Sequence, residues 1–429
     1  MPVMDAAPAE PFDPVDAHWM RQAIALSESA LAVTAPNPRV ACLIVRDGQC
    51  LASGVTQRAG GAHAEVMALR EAQTRGVSLE GTTFYVTLEP CSHHGRTPPC
   101  ADAIVRAAPA RVVLAMIDPN PRVAGQGIHR LRQAGIPVTV GVCAEEALAI
   151  NPGFVARMTR GTPWVWLKSA VSLDGRVALP DGRSQWITGA AARRDGHHWR
   201  ARSCAVMTGI GTVLADDPQL NVRHVDTPRQ PLRVVVDSTL RMPLDARMLK
   251  TARDALNKSS GQAGAAHQTV QNKADAVAAR SDGGARRDAG DALVLASGGV
   301  LIFTASDDAD KTRALQARGA HVVRLSATAQ GVDLPAALRW LGQHAINEVH
   351  VEAGGRLSGA LLQAGLVDEL LVYVAPVLLG DGMPMARLPG LPSLSQAPRY
   401  TFLPPHRLGE DLRLRLRRED RWQALLSGV

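Results

Sequence analysis

Gly61-Ala62-His63-Ala64-Glu65 and, further on, Pro90-Cys91-Ser92-His93-His94-Gly95-Arg96-Thr97-Pro98-Pro99-Cys100 decide how this chain is read. One imidazole and two thiolates, His63, Cys91 and Cys100, are the three protein ligands of an open catalytic zinc, whose fourth position is left for water. Such a metal lowers the pKa of that water and yields a nucleophile at neutral pH. Proton transfer beside it still requires an acid–base group. Glu65, two residues past His63, suits that role without being a ligand. One Zn2+ per chain is therefore expected.

Each part also has a plainer reading. His63 in an Ala-rich segment reads as well as an ordinary helix residue, Cys91 and Cys100 as small buried apolar residues, and Cys-x8-Cys is looser than Cys-x2-Cys. The order of the residues, the Glu offset and the proline before Cys91 together match the H-x-E and P-C…C arrangement of zinc deaminases of nucleobases. The competing metal reading is a closed structural zinc, with His93 or His94 as fourth ligand.

The 429 residues allow two or three domains. Six irregularly spaced cysteines and a Pro-, Ala- and acid-rich start without an apolar run argue against a disulfide framework or a secretory signal. No apolar segment has membrane-spanning length, and thiolate ligands suit a reducing cytoplasm. The net charge of +7 raises the question of nucleic acid. Only five of the 47 basic residues are lysines, the arginines are dispersed, and aromatics make up 3%. Phosphate-bearing small molecules fit that pattern better than single strands needing stacking platforms.

Along the chain, Asp16 to Leu31 reads as an amphipathic helix broken at Pro36-Asn37-Pro38. Val40 to Val45 is a strand closed by the hairpin signal Asp47-Gly48. Ala64 to Arg75 is a helix, Thr83 to Leu88 a strand, and Cys100 opens a helix to Ala107, so ligands sit at helix N-termini. Strands at Arg111 to Ile117 and Pro137 to Val140 alternate with helices at Gly127 to Ala134 and Glu145 to Met158. This is a three-layer α/β domain, residues 1–160.

Thr34-Ala35-Pro36-Asn37-Pro38, His63-Ala64-Glu65, the Pro90 to Cys100 loop and the run Asp118 to Gly127 resemble the deaminase half of the bifunctional riboflavin-biosynthesis deaminase/reductase family. The resemblance implies a cytidine-deaminase-like fold, with Asn37, Asp118 and Asn120 at the substrate and Arg96 near its phosphate. Read without it, Asn37 and Asn120 are turn residues beside proline. Ala41 departs from the glycine usual in that pattern, where it bears on packing rather than chemistry.

The second half begins with the strand Trp164 to Val171, and short strands follow at Ala205 to Met207 and Arg233 to Val236. Val349 to Glu352 runs into Ala353-Gly354-Gly355-Arg356-Leu357-Ser358-Gly359-Ala360, a strand-to-helix turn where backbone N–H groups can meet a phosphate. It is not G-x-G-x-x-G, so a dinucleotide fold of that kind is not indicated. These stretches resemble the reductase half of the same family, which implies a dihydrofolate-reductase-like domain over 161–429 that uses NADPH. By that resemblance Ala170, Trp186, Thr212, Asp216, Ser238 and Gly354, Gly355, Arg356, Leu357, Ser358, Gly359 and Ala360 contact the cofactor. Ser184, Arg200, Leu220, Arg223 and Glu352 contact the substrate in the same way. Guanidinium forks suit Arg200 and Arg223 to a ribose phosphate, against the plainer reading of surface ion pairs. Lys168 is either a substrate-polarising cation or a snorkelling edge residue.

The stretch 251–298 carries few large apolar residues and reads as a disordered insertion outside the resemblance. The expected chemistry is zinc-dependent deamination of a diaminopyrimidinone ribosyl phosphate, then NADPH-dependent reduction of the ribosyl group to ribityl phosphate. A homodimer or higher homo-oligomer through the reductase half is the expected assembly, with no nucleic-acid or membrane partner. The rivals are a nucleic-acid base deaminase, which leaves the second half without a purpose, and a zinc-stabilised binding module.

Overall fold

The first helix, α1 (Pro14–Ser27), starts where Asp13 accepts the Val15 N–H at 2.8 Å and Pro14 takes the first helical position. The computed structural model describes residues 12–92, 99–121, 123–252, 298–390 and 392–429. The expected insertion at 251–298 falls almost wholly outside them. The chain divides into two compact units, Met1–Arg160 with Gln423–Val429, and Gly161–Trp422. No helix among the described residues is long and apolar enough to cross a membrane.

In the first unit, α1 buries Trp19, Met20, Ala23 and Ile24. Asp16 shares that buried face because Tyr85 Oη donates to it at 2.8 Å and Arg111 Nη1 at 3.0 Å. The helix ends at Ser27, short of the expected Leu31, and a 3-10 turn follows at Glu28–Ala30. Strands β1 (Ala41–Arg46) and β2 (Gln49–Val55) join through Asp47-Gly48, whose φ of 50° and 69° suit a primed hairpin turn. With β3 (Thr83–Val86), β4 (Arg111–Leu114) and β5 (Val138–Val140) they form a sheet of order β2-β1-β3-β4-β5, parallel from β3 to β5.

Helix α2 (Ala64–Thr74) packs on β1 and β2, and α3 (Cys100–Ala107) packs on α2 and on α4 (Gln126–Gln133). On α2 the buried face is Ala64, Ala68 and Ala72, and Gly54 in β2 lets it approach closely. A Cβ at Gly54 would lie 2.2 Å from Ala64 O. The helix expected over Glu145 to Met158 is two, α5 (Ala144–Ile150) and α6 (Pro152–Arg160). Pro152 starts the second. Asn151 between them pairs with the Arg39 backbone, accepting its N–H and donating to its carbonyl, both at 2.8 Å.

The second unit is built on one long sheet, with order β11-β10-β9-β8-β14-β6-β15-β19-β17 and β18 beside β19. Its parallel middle is β6 (Trp164–Ser172), β8 (Ala205–Gly209), β9 (Leu232–Val236), β10 (Val300–Thr304), β11 (Ala320–Arg324), β14 (Glu348–Val351) and β15 (Glu369–Ala375). Between β6 and β8 lie β7 (Arg176–Ala178) and α7 (Ala190–Arg202), and α8 (Ile210–Asp216) follows β8. Helix α9 (Ala309–Gln316) precedes β11, the hairpin β12 (Ala327–Thr328) and β13 (Gly331–Val332) precedes α10 (Leu334–Gln343), and α11 (Gly355–Gln363) follows β14. The antiparallel edge holds β17 (Thr401–Phe402), β18 (His406–Leu408) and β19 (Asp411–Arg417), after the short β16 (Met383–Pro384). Trp164-Val165-Trp166-Leu167 is buried residue after residue, as a strand covered on both faces must be. Because β6 lies between β14 and β15, Lys168 stands in an interior strand, which removes the snorkelling-edge reading.

Candidate functional site

The first unit brings three sequence-distant donors together. His63 is the N-cap of α2, Cys100 is the first residue of α3, and Cys91 lies on the segment after β3. His63 Nδ1 stands 3.4 Å from Cys100 Sγ and 3.6 Å from Cys91 Sγ, and the three donor atoms lie within 4.8 Å of one another. With zinc–sulfur bonds of ~2.3 Å and zinc–nitrogen bonds of ~2.0 Å, tetrahedral N and S donors stand roughly 3.6 Å apart, so the residues fit that metal. The start of α3 also turns toward Cys91: the Cys100 N–H meets Cys91 Sγ at 3.3 Å and the Ala101 N–H meets the Cys91 carbonyl at 3.1 Å. The side-chain hydrogen bond from Cys100, working against burial and with help from His63, holds the Cys91 thiol well below its usual range. The same bond, with burial, pushes the Cys100 thiol well above its usual range, so the two sulfurs share a proton that a bound zinc, which takes both as thiolates, would displace. His93, His94 and Arg96 lie outside the described residues.

Glu65 is 3% exposed, and burial pushes its carboxyl up to about 7. A carboxyl group that titrates near neutrality can both give and take a proton. It opens onto a cleft of about 270 Å3 that also has Asn37, His63, Cys91, Asp118 and Asn120 on its walls. Burial likewise pushes the Asp118 carboxyl up to about 6. Asp118 Oδ1 accepts the Asn120 N–H at 2.8 Å, which sets the two side by side. Sequence reasoning missed Phe154 and Arg157 of α6, which line the same cleft with the Arg157 guanidinium 6.0 Å from the Phe154 ring centroid. They carry no local signal, being brought in only by the chain break at Asn151.

In the second unit Glu352, just past β14, is the meeting point. Arg200 of α7 donates from Nη2 to Glu352 Oε2 at 2.9 Å and from Nε to Oε1, and from Nη1 to the Asn221 carbonyl at 2.9 Å. Lys168 Nζ stands 3.8 Å from Glu352 Oε2, and burial lowers its pKa. The fork of Arg200 is thus committed to a carboxylate, whereas Arg223 is exposed. Burial, with Arg200 and Arg223 nearby, holds His197 down at about 3, so its Nδ1 accepts the Arg223 backbone N–H at 3.3 Å. His350, fully buried with Nε2 3.3 Å from Glu352 Oε1, was missed in the sequence. Its signal was the strand alternation that puts residues 350 and 352 on one face.

Of the expected cofactor contacts, Thr212 and Gly354 meet, the Gly354 N–H donating to Thr212 Oγ1 at 3.3 Å. The glycine turn divides by role. Gly354 is exposed, but a Cβ at Gly359 would lie 2.0 Å from Arg387 O and one at Gly355 2.9 Å from Pro384 O. Those two glycines admit a neighbouring backbone. Ser358 is buried, with Oγ donating to Ala353 O at 3.1 Å, Leu357 packs on Gly209, and Arg356 is exposed while Ala360 is half-buried. Ala170 shares the strand face of Lys168, Asp216 ends α8, and Ser238 Oγ accepts the Val332 N–H at 3.0 Å. Trp186 is 66% exposed beneath the Arg193 guanidinium, Ser184 is half-buried, and Leu220 is buried with a φ of 50°.

Residues 14–116 match the cytidine and deoxycytidylate deaminase zinc-binding region, and residues 163–414 match the RibD C-terminal domain. Fold and matches together define a two-part enzyme, a zinc-binding deaminase followed by a reductase. The chain is similar to riboflavin biosynthesis protein RibD of Escherichia coli (strain K12), 42% identical over 402 residues that cover 94% of this chain and 99% of that protein. The RibD of Aquifex aeolicus is 35% identical over 398 residues, covering 93% and 97%. Among solved structures, Acinetobacter baumannii RibD (form 1) superposes with a TM-score of 0.76 at 40% identity, covering 94% and 98%. A deaminase/reductase from Thermotoga maritima superposes with 0.74 at 28%, with the same coverage. The chain belongs to the RibD family, the bifunctional deaminase/reductases of riboflavin biosynthesis.

Proposed function

We propose that the unit built on residues 1–160 hydrolyses the amino group of 2,5-diamino-6-(5-phosphoribosylamino)pyrimidin-4(3H)-one, and that the unit of residues 161–422 reduces the ribosyl group of the product to ribityl phosphate. The observation that carries this reading is the donor triangle of His63, Cys91 and Cys100 beside the buried carboxyl of Glu65. Zinc bound there supplies a water-derived nucleophile at neutral pH. Glu65 takes the proton released as water attacks and gives it to the ring nitrogen, then takes the proton of the new hydroxyl group and gives it to the amine, which leaves as ammonia. Asn37, Asp118 and Asn120 hydrogen-bond the pyrimidine edge, and Arg157 faces the ribosyl phosphate, for which the family motif also assigns Arg96.

In the second unit a bound NADPH supplies the hydride. Thr212 and the exposed N-terminus at Gly354 hold its phosphates, with Ala170, Trp186, Asp216 and Ser238 along the remainder. Lys168, kept beside Glu352, polarises the ring-opened sugar, Glu352 orients it with Ser184 and Leu220, and Arg223 takes its phosphate. Pairing of reductase units gives a homodimer, and a reducing cytoplasm preserves the two ligand thiolates.

The test is the pair of partial reactions on the purified full chain. Ammonia release without NADPH, its loss on chelation and return with zinc, and ribityl product only when NADPH is added are the expected results. Zinc-loaded protein that releases no ammonia rejects the first assignment, and failure to reduce the deaminated product rejects the second.

A further inference from the structure

We propose that Glu89 is a positioning residue of the deaminase site, its carboxylate clasping both ends of the loop that carries Asp118 and Asn120 into the cleft. The inference rests on the deaminase reading above and assigns a role to a residue that no motif singled out.

Glu89 is 3% exposed. Its Oε2 accepts the N–H of Asp118 at 3.1 Å and of Gly125 at 2.9 Å, and its Oε1 accepts those of Gly127 at 2.8 Å and Ile128 at 3.2 Å. One carboxylate therefore receives four backbone donors, one from the beginning of the loop and three from the start of α4. Helix α4 needs them met from outside, because its N-cap is Gly125, which has no side chain to turn back on the first turn. A negative charge at that end is favoured by the helix dipole, and charge-assisted bonds are the strong ones.

The clasp is tied to the metal ligands by its own backbone. The Glu89 N–H donates to Met116 O at 2.9 Å, and Pro90 and Cys91 follow directly. A Cβ at Gly127 would lie 2.1 Å from Pro90 O, so the helix start rests against the peptide that leads into Cys91. Asp118 is thus held by its N–H on Glu89, and Asn120 by its N–H on Asp118. The distance from the metal donors to the two side chains expected on the pyrimidine is set through Glu89. A glutamine there would keep one acceptor oxygen but turn an NH2 group toward two N–H donors.

The experiment compares zinc-loaded full-length wild type, Glu89→Gln, Asn120→Ala and the double variant. Amide exchange over 118–128 should quicken in Glu89→Gln while that of α2 stays unchanged. The kcat/KM for deamination should fall about tenfold to a hundredfold, mostly through KM, with zinc still one per chain and reduction at its wild-type rate. In the double variant Glu89→Gln should add little to Asn120→Ala, because both act through one loop. Unchanged exchange, an unchanged KM, or losses that multiply in the double variant overturn the proposal. Where Glu89→Gln does not fold, Glu89→Asp, which keeps the charge with a shorter reach, replaces it and should show an intermediate loss. Absence of ammonia release by the wild type rejects the deaminase reading itself, which exchange, read without substrate, distinguishes from failure of the clasp.

Discussion

Arg200 grips Glu352 through two N–H···O bonds, with the side chains only 12% and 14% exposed. Lys168 and His350 face the same carboxylate, so one buried anion is surrounded by an obligate cation, a lysine and an imidazole. Burial by itself would raise the pKa of Glu352. The charges of Arg200 and Lys168, with the hydrogen bonds from Arg200, outweigh it and hold that carboxyl well below the usual range.

The acid limb of stability follows from that pairing. A depressed folded pKa contributes stability that is fully present above the unfolded value of about 4.3 and is lost as pH falls through the folded one. The second unit should weaken as pH drops below about 5, by at most about 1.4 kcal/mol per pH unit from this group. Glu352→Gln should flatten that limb in denaturant unfolding followed between pH 6 and 3, as set by the experimenter. Arg200→Ala should cost about 3–5 kcal/mol at neutral pH by leaving the carboxylate buried and unpaired.

Glu65→Gln removes the titrating group and keeps its shape. Ammonia release should fall by about 10² to 10⁴-fold, the range for a general acid–base group. Zinc content and the NADPH-dependent step should be unchanged, since Glu65 is not among the metal donors and lies in the first unit. Parallel assays of both steps on one preparation, with metal analysis, check this.

Gly54→Ala tests the close packing that places His63 and Glu65. The added Cβ would lie 2.2 Å from Ala64 O and 2.3 Å from Ala68 N, both backbone atoms, so α2 must move away from β2. Overpacking of this kind costs about 1–3 kcal/mol. The first unit should melt earlier, with weakened zinc retention on dialysis against a chelator, while the second unit melts as before.

Arg157→Ala probes the cation that α6 brings to the cleft. Loss of one charge-assisted contact to a ribosyl phosphate should raise the deaminase KM on the order of tenfold with little change in kcat. A substrate analogue without the phosphate should show no difference between the two proteins.

Much of the first site was legible because its signals are local. His63 and Glu65 stand two apart at a helix start, the prolines bracket the loop from Cys91 to Cys100, and Asp47-Gly48 marks its turn, all at spacings that a linear reading can weigh. The helix break at Asn151 was hidden because its cause is a side chain pairing with Arg39, more than a hundred residues away. Arg157 and Phe154 entered the cleft with it. In the glycine turn the residue types were plain, but which glycine leaves an exposed backbone and which admits a neighbouring chain depended on Pro384 and Arg387.

The sequence by itself singled out the three residues whose donor atoms the fold gathers and the carboxyl beside them, and it determined the alternation of strands and helices and the family to which both halves belong, since each rests on residue chemistry at short spacing. Only the tertiary structure decided that Arg200 is committed to Glu352, that His350 stands beside them, that Thr212 meets Gly354 across 142 residues, and that Glu89 receives four N–H donors. A buried charged or polar group must find its partner among whatever the fold brings near it, and neither periodicity nor propensity encodes that choice.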